Sequence, residues 1–158
     1  MIKRAAFLLL LIGSISMSAQ EASEEAAVKN AIDTFFKGFH ARDSIVMKSV
    51  LTDATVVQTV AKDKSGEVVL TTDDLHKMLK GIVGIPLKTT FKEELHSYDI
   101  EIDGALAQAW TPYSLYVNEE FVHCGVDSFQ LFKDNGKWKI IYLVDTRRKE
   151  GCEDIARK

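Results

Sequence analysis

The sequence predicts a single α+β domain, with three N-terminal helices packed on a mostly antiparallel sheet of about six strands. Three observations carry that expectation. Apolar residues recur at three- and four-residue spacing between Ser23 and His40. Long period-two segments joined by tight turns fill the chain after Pro86. The 158 residues, 46% hydrophobic and 27% charged, suffice for one buried core and are too few for two domains of ordinary size.

The first element is an address. Met1-Ile2-Lys3-Arg4 is a short cationic start, Ala5 to Ile12 is an unbroken apolar run, and Gly13 to Gln20 is small and weakly polar. That order is the pattern of a secretory signal peptide over residues 1–19. The run is far shorter than the roughly 20 apolar residues a bilayer needs, so no stable membrane anchor is expected. Export leaves a single domain over residues 20–158, periplasmic or secreted. Removing Lys3 and Arg4 from 20 basic residues leaves 18 against 23 acids, which moves the formal charge from −3 to −5. An acidic balance with no basic tract speaks against nucleic acid as a partner.

In the mature chain, Ser23 followed by Glu24 and Glu25 suits a helix start. Val28, Ile32, Phe35, Phe36 and Phe39 form its apolar stripe. Asp43 can cap a short second helix through Ser44 to Val50. A third helix begins at Thr71 or Thr72, runs through Leu75, Met78, Leu79 and Ile82, and stops at Gly84 and Pro86. Between the second and third helices, Lys64-Ser65-Gly66 turns a hairpin from Thr55–Ala61 to Glu67–Leu70. Asp103-Gly104, Asn118-Glu119-Glu120 and Asp134-Asn135-Gly136 then separate the strands of a meander.

With Asn135-Gly136 as the turn, Phe129 pairs with Tyr142, Asp127 with Val144 and His123 with Arg148. Alternation puts Phe121, His123, Gly125, Asp127, Phe129 and Leu131 on one face with Trp138, Ile140, Tyr142 and Val144. Cys124, Val126, Ser128, Ile141, Leu143, Asp145 and Arg147 fall on the other. Both faces are substantially apolar, so both are expected to be covered. Helices cover one side, and a second copy of the chain covers the other, giving a homodimer through the sheet face.

The order of elements resembles the nuclear transport factor 2-like superfamily, in particular its exported bacterial lumazine-binding-like and polyketide-cyclase-like branches. The resemblance rests on Ala31 to Phe39, Arg42-Asp43, His123 to Asp127, Asn135-Gly136-Lys137-Trp138-Lys139-Ile140-Ile141 and Asp145 to Arg148. It implies a curved, cystatin-like cone with a pocket between helices and concave sheet. The superfamily holds isomerases, dehydratases, cyclases and proteins without chemistry, so fold alone leaves function open.

Within that frame Trp110, Tyr113, His123, Asp127, Phe129 and Tyr142 are the candidate ligand pocket, the His123 face being taken as the concave one. His123 and Asp127 could exchange a proton with a ligand, with Tyr142 or Tyr113 as hydrogen-bond donor; alternatively they are a satisfied half-buried pair. Asp145 and Arg147 are read as ion-pair partners at a dimer interface. Cys124 and Cys152 are expected to form a disulfide that clasps the C-terminal tail, rather than a reactive thiol beside His123. The four histidines lie far apart and no phosphate- or dinucleotide-binding pattern occurs, so neither metal nor cofactor is expected. The reading favoured is an exported binder of a small apolar or aromatic molecule. The alternatives are an isomerase, dehydratase or cyclase type of enzyme, and a protein-interaction module.

Overall fold

The computed structural model describes the backbone of residues 2–155 and the side chains of residues 21–155. The expected signal peptide, residues 1–19, lies outside the described side chains. Ten elements follow in order: α1 (Ile2–Ala41), α2 (Ser44–Lys48), β1 (Leu51–Lys62), β2 (Val68–Asp73), α3 (Leu75–Val83), β3 (Phe91–Leu95), β4 (Asp99–Asp103), β5 (Leu106–Val117), β6 (Glu120–Asp134) and β7 (Lys137–Arg147).

Of the expected apolar stripe of α1, Val28, Ile32, Phe35 and Phe36 are enclosed, with Ala31 beside them, and Phe39 is half-buried. Ser23 does not start that helix, which continues through it. Glu24 instead accepts from Lys133 Nζ at 2.6 Å and Trp138 Nε1 at 3.1 Å, fastening α1 to the β6–β7 hairpin. Asp43 caps α2 through the amides of Ile45 and Val46. Gly38 lies where the two helices meet, since a Cβ there would sit 2.7 Å from the Met47 nitrogen. Helix α3 is capped by Asp74, because Thr71 and Thr72 are drawn into β2.

The sheet has seven strands in the order β2-β1-β7-β6-β5-β3, with β4 also on β5. Strands β3 and β4 lie end to end along one edge of β5, interrupted at His96 to Tyr98, so the expectation of about six strands is one short. All pairs are antiparallel except β1 with β7, which makes the sheet mixed. Asn135 and Gly136 both take positive φ (48° and 81°), as a two-residue hairpin turn requires.

The β6–β7 register begins as expected, Asp134 opposite Lys137 and Leu131 opposite Ile140. A bulge then adds one residue to β7, so Gln130 faces Tyr142, Phe129 faces Leu143 and Asp127 faces Asp145. One extra residue exchanges the faces of everything beyond it. Leu143 and Asp145 therefore join Phe129 and Asp127, whereas Tyr142 and Val144 move to the opposite side. The core lies on the concave face: Val57, Ala107, Ala109, Phe129, Leu131, Trp138, Ile140 and Leu143 pack against α1 and against Leu79 and Ile82 of α3. Phe36 meets Phe129 edge to face at 6.2 Å.

Candidate functional site

Beyond Phe129 the concave face turns polar. Pairing brings Thr59 to Asp145, Asp145 to Asp127 and Asp127 to Thr111 across β1, β7, β6 and β5. The next positions toward the strand ends place Tyr113 opposite Gly125 and His123 opposite Leu115, with Glu93 also opposite Leu115. Because each strand contributes alternate residues to one face, these side chains share one end of the cone. Gly125 keeps the close approach possible: a Cβ there would lie 1.7 Å from the Thr146 carbonyl oxygen and 2.9 Å from the Tyr113 ring.

Asp145 is the best-supplied acceptor of the cluster. One oxygen accepts from Thr59 Oγ1 at 2.5 Å, the other from Arg147 Nε at 2.6 Å and from Tyr113 Oη at 3.2 Å. Tyr113, almost fully buried, also reaches the Thr146 carbonyl at 3.0 Å and His123 Nε2 at 3.1 Å. Burial and the surrounding carboxylates hold its hydroxyl protonated, so its proton is committed inside the protein.

Asp127 is different. Only 3% of it is exposed, its Oδ2 has no conventional donor, and its side chain faces that of Glu93. Burial first, then the charges of Glu93 and Asp145, push its pKa well above the ordinary carboxylate range. Burial likewise pushes Glu93 up to about 7. Two apposed carboxyls in a desolvated site cannot both ionise cheaply, and a hydrogen bond between them needs one proton on the pair. Burial and mutual repulsion therefore favour keeping a proton on the pair. The β3 backbone beside it is fixed by His40, whose Nε2 accepts from the Glu93 amide at 2.9 Å and which burial keeps neutral. That contact gives His40 a tertiary role, tying the end of α1 to β3.

Of the expected pocket residues, His123, Asp127 and Tyr113 converge. Phe129 lies beneath them, fully buried in the core. Tyr142 and Trp110 do not reach the cluster. Tyr142 sits on the convex face and donates to Gln58, and Trp110 faces outward, 53% exposed. Asp145 and Arg147, expected on the opposite face, belong to the cluster. Glu93 was not anticipated; its only signal was alternation in Phe91-Lys92-Glu93-Glu94-Leu95, which places it inward with Phe91 and Leu95. Among the described residues no group of three His, Cys, Asp or Glu side chains is disposed to hold a metal ion.

At the strand ends a groove of about 610 Å³ adjoins the cluster. Val60, Ala61 and Val68 are its apolar lining, and half-buried His123 and exposed Arg147 connect it to the polar residues. Burial, then the Arg147 charge, lowers the His123 pKa, which leaves the imidazole neutral. On the convex side Cys124 and Cys152 form the expected disulfide, with Cα atoms 5.9 Å apart. Cys124 pairs with Arg148 rather than the expected Arg147, a consequence of the β7 bulge. The clasped tail brings Ile155, buried, beside Trp110, Pro112 and Val126.

No family model matches the sequence, and no curated protein matches it. Solved structures do. A nuclear transport factor 2-like protein of unknown function from Shewanella baltica is 17% identical, covering 82% of this chain and 97% of its own, with a TM-score of 0.59. A proposed dehydratase of the nuclear transport factor 2-like family from Streptomyces avermitilis is 15% identical, covering 81% and 98%, with a TM-score of 0.62. A protein of unknown function with a cystatin-like fold from Nostoc punctiforme is 12% identical, covering 82% and 94%, with a TM-score of 0.63. The chain has the nuclear transport factor 2-like, cystatin-like fold.

Proposed function

We propose that this chain is an exported domain that binds a small, mostly apolar molecule at the mouth of its cone. The observation that carries the reading is the groove: about 610 Å³, walled by Val60, Ala61 and Val68, and ending on His123 beside a buried polar cluster. That size and mixture suit a small organic ligand, with apolar walls for affinity and few polar groups for orientation. Export rests on the leader pattern of residues 1–19, and the Cys124–Cys152 disulfide supports an oxidising compartment. Native mass spectrometry of protein purified from its own host tests the binding. A co-purified small molecule is expected, absent from Ala61→Trp, which fills the groove; intact but empty wild-type protein overturns the reading.

The Glu93–Asp127 pair favours a second reading, proton transfer of the isomerase, dehydratase or cyclase type. One acid and one base side by side can protonate one atom of a substrate and deprotonate another. The Streptomyces neighbour named as a dehydratase adds a fold-level analogy. On this reading Glu93→Gln and Asp127→Asn each abolish turnover of the co-purified molecule while leaving its binding in place. Tyr113, committed to the Thr146 carbonyl and Asp145, serves here as scaffold rather than donor to substrate.

A further inference from the structure

The groove at the strand ends has a charge pattern opposite to that of the whole chain. Net charge is −3, yet Lys62, Arg147, Arg148 and Lys149 line this groove against a single carboxylate, Glu150. Arg147 is occupied by Asp145 at 2.6 Å. Lys62 and Lys149 make no ion pair among the described residues, and Arg148 makes only a long 3.4 Å contact with the Gly151 carbonyl. The acidic cluster behind is screened from the groove, because Asp145 is already matched by Arg147, Thr59 and Tyr113. Three cations are thus left around an apolar strip formed by Val60 and Val68, which share a face of the β1–β2 hairpin with Lys62.

Such unpaired cations are readily hydrated and cost nothing when the groove is empty. Their concentration in a protein with an acidic balance raises the local concentration of anions at this one place. An apolar wall below and cations at the rim complement a molecule with an apolar body and one acidic head. We propose that the groove takes an amphipathic organic anion, its body along Val60 and Val68 and its acidic group against Lys62, Arg148 and Lys149. This assignment rests on the small-molecule reading above and names the chemical class of its ligand.

Matched probe pairs separate the two claims. Decanoate and decanol offer an aliphatic body with and without charge, and 2-naphthoate and 2-naphthol offer an aromatic one. Calorimetric titration of the mature protein, below micelle-forming concentrations, is expected to show at least one acid binding about tenfold or more tighter than its alcohol. Raising the salt from about 0.05 M to about 0.5 M is expected to narrow the gap. The triple variant Lys62→Gln, Arg148→Gln, Lys149→Gln changes only exposed side chains and is expected to close it, leaving the alcohol's affinity unchanged. A control, Lys77→Gln with Lys80→Gln on α3, is expected to leave the gap intact. Acid and alcohol binding equally well in both pairs overturns the anion assignment and leaves the small-molecule reading standing. Absence of binding by all four probes overturns both.

Discussion

Asp127 and Glu93 are costly residues in this fold. A buried carboxyl without a conventional donor forfeits hydration, and the cost is reduced by keeping a proton on the pair. In the unfolded chain both groups ionise in the ordinary carboxylate range; folded, burial raises both, Glu93 to about 7. The folded state therefore binds more protons between those limits, and this contribution to stability falls as pH rises through that window. His40 and His123, lowered by burial, act in the opposite sense up to about pH 6.5, but a comparison with Glu93→Gln cancels them. Urea unfolding at about pH 5 and about pH 8 is expected to show Glu93→Gln gaining on wild type at the higher pH, on the order of 1–3 kcal/mol. A difference that is flat, or that grows toward low pH, sinks the shared-proton account. Asp127 and His123 were legible in the sequence because alternation along one strand puts them on one face; Tyr113 was named together with Trp110, which lies on the other face of β5, so alternation had not singled it out. Glu93 was not legible: its partner Asp127 is 34 positions away along the sequence, and nothing local marks a short Lys-Glu-Glu strand as lining a site.

At the scale of elements, turn chemistry and period two were enough for the hairpins. Asn135-Gly136 turns where expected, the turn expected at Asp103-Gly104 falls one residue later at Gly104-Ala105, and β5, β6 and β7 fill the segments between turns. The bulge in β7 was invisible for a physical reason. Ile141, Tyr142, Leu143 and Val144 are all apolar and suit either face, so a one-residue slip leaves no trace in the pattern. The slip decided the site, carrying Asp145 and Arg147 inward and Tyr142 outward. The disulfide survived the same error, since a shift from Arg147 to Arg148 opposite Cys124 keeps Cys152 within reach of the β6 edge. Its contribution can be stated from loop length. Closing a 28-residue separation stabilises by about 3–4 kcal/mol in the chain-entropy model. Cys152→Ser is expected to lower Tm by roughly 10 °C and to release Ile155 from its place beside Trp110. Differential scanning fluorimetry, with tryptophan emission reporting the tail, measures both. An unchanged Tm shows that the tail adds nothing to the folded state.

For the whole molecule, the unresolved asymmetry is between the two faces of one sheet. The helices cover the concave face, and the disulfide-clasped tail covers only the part of the convex face near Pro112 and Val126. Val56, Leu106, Trp110 and Phe132 stay exposed on the remainder, with half-buried Tyr142 and Val144 among them. Apolar side chains gathered on one sheet surface are unusual for a protein that acts alone, and scattered single exposures would not share a face. A two-fold related copy offers the same surface back, so tryptophan and phenylalanine on each sheet can pack against the other, and the homodimer we propose needs no further element. Trp110 and Phe132 are the anchors of this proposed contact, because large aromatics carry most of the energy in such interfaces. Sedimentation velocity of the mature protein at micromolar concentration is expected to give twice the chain mass. Trp110→Glu and Phe132→Glu, each placing charge on a face that must become dry, are expected to give monomers with unchanged far-ultraviolet circular dichroism. A monomeric wild type defeats the dimer. If wild type is monomeric and the same two variants abolish capture of one defined exported partner, the face belongs to an interaction module. Because neither substitution touches the concave cluster, loss of the dimer with ligand binding intact would make dimerisation a matter of covering the sheet rather than of building the site.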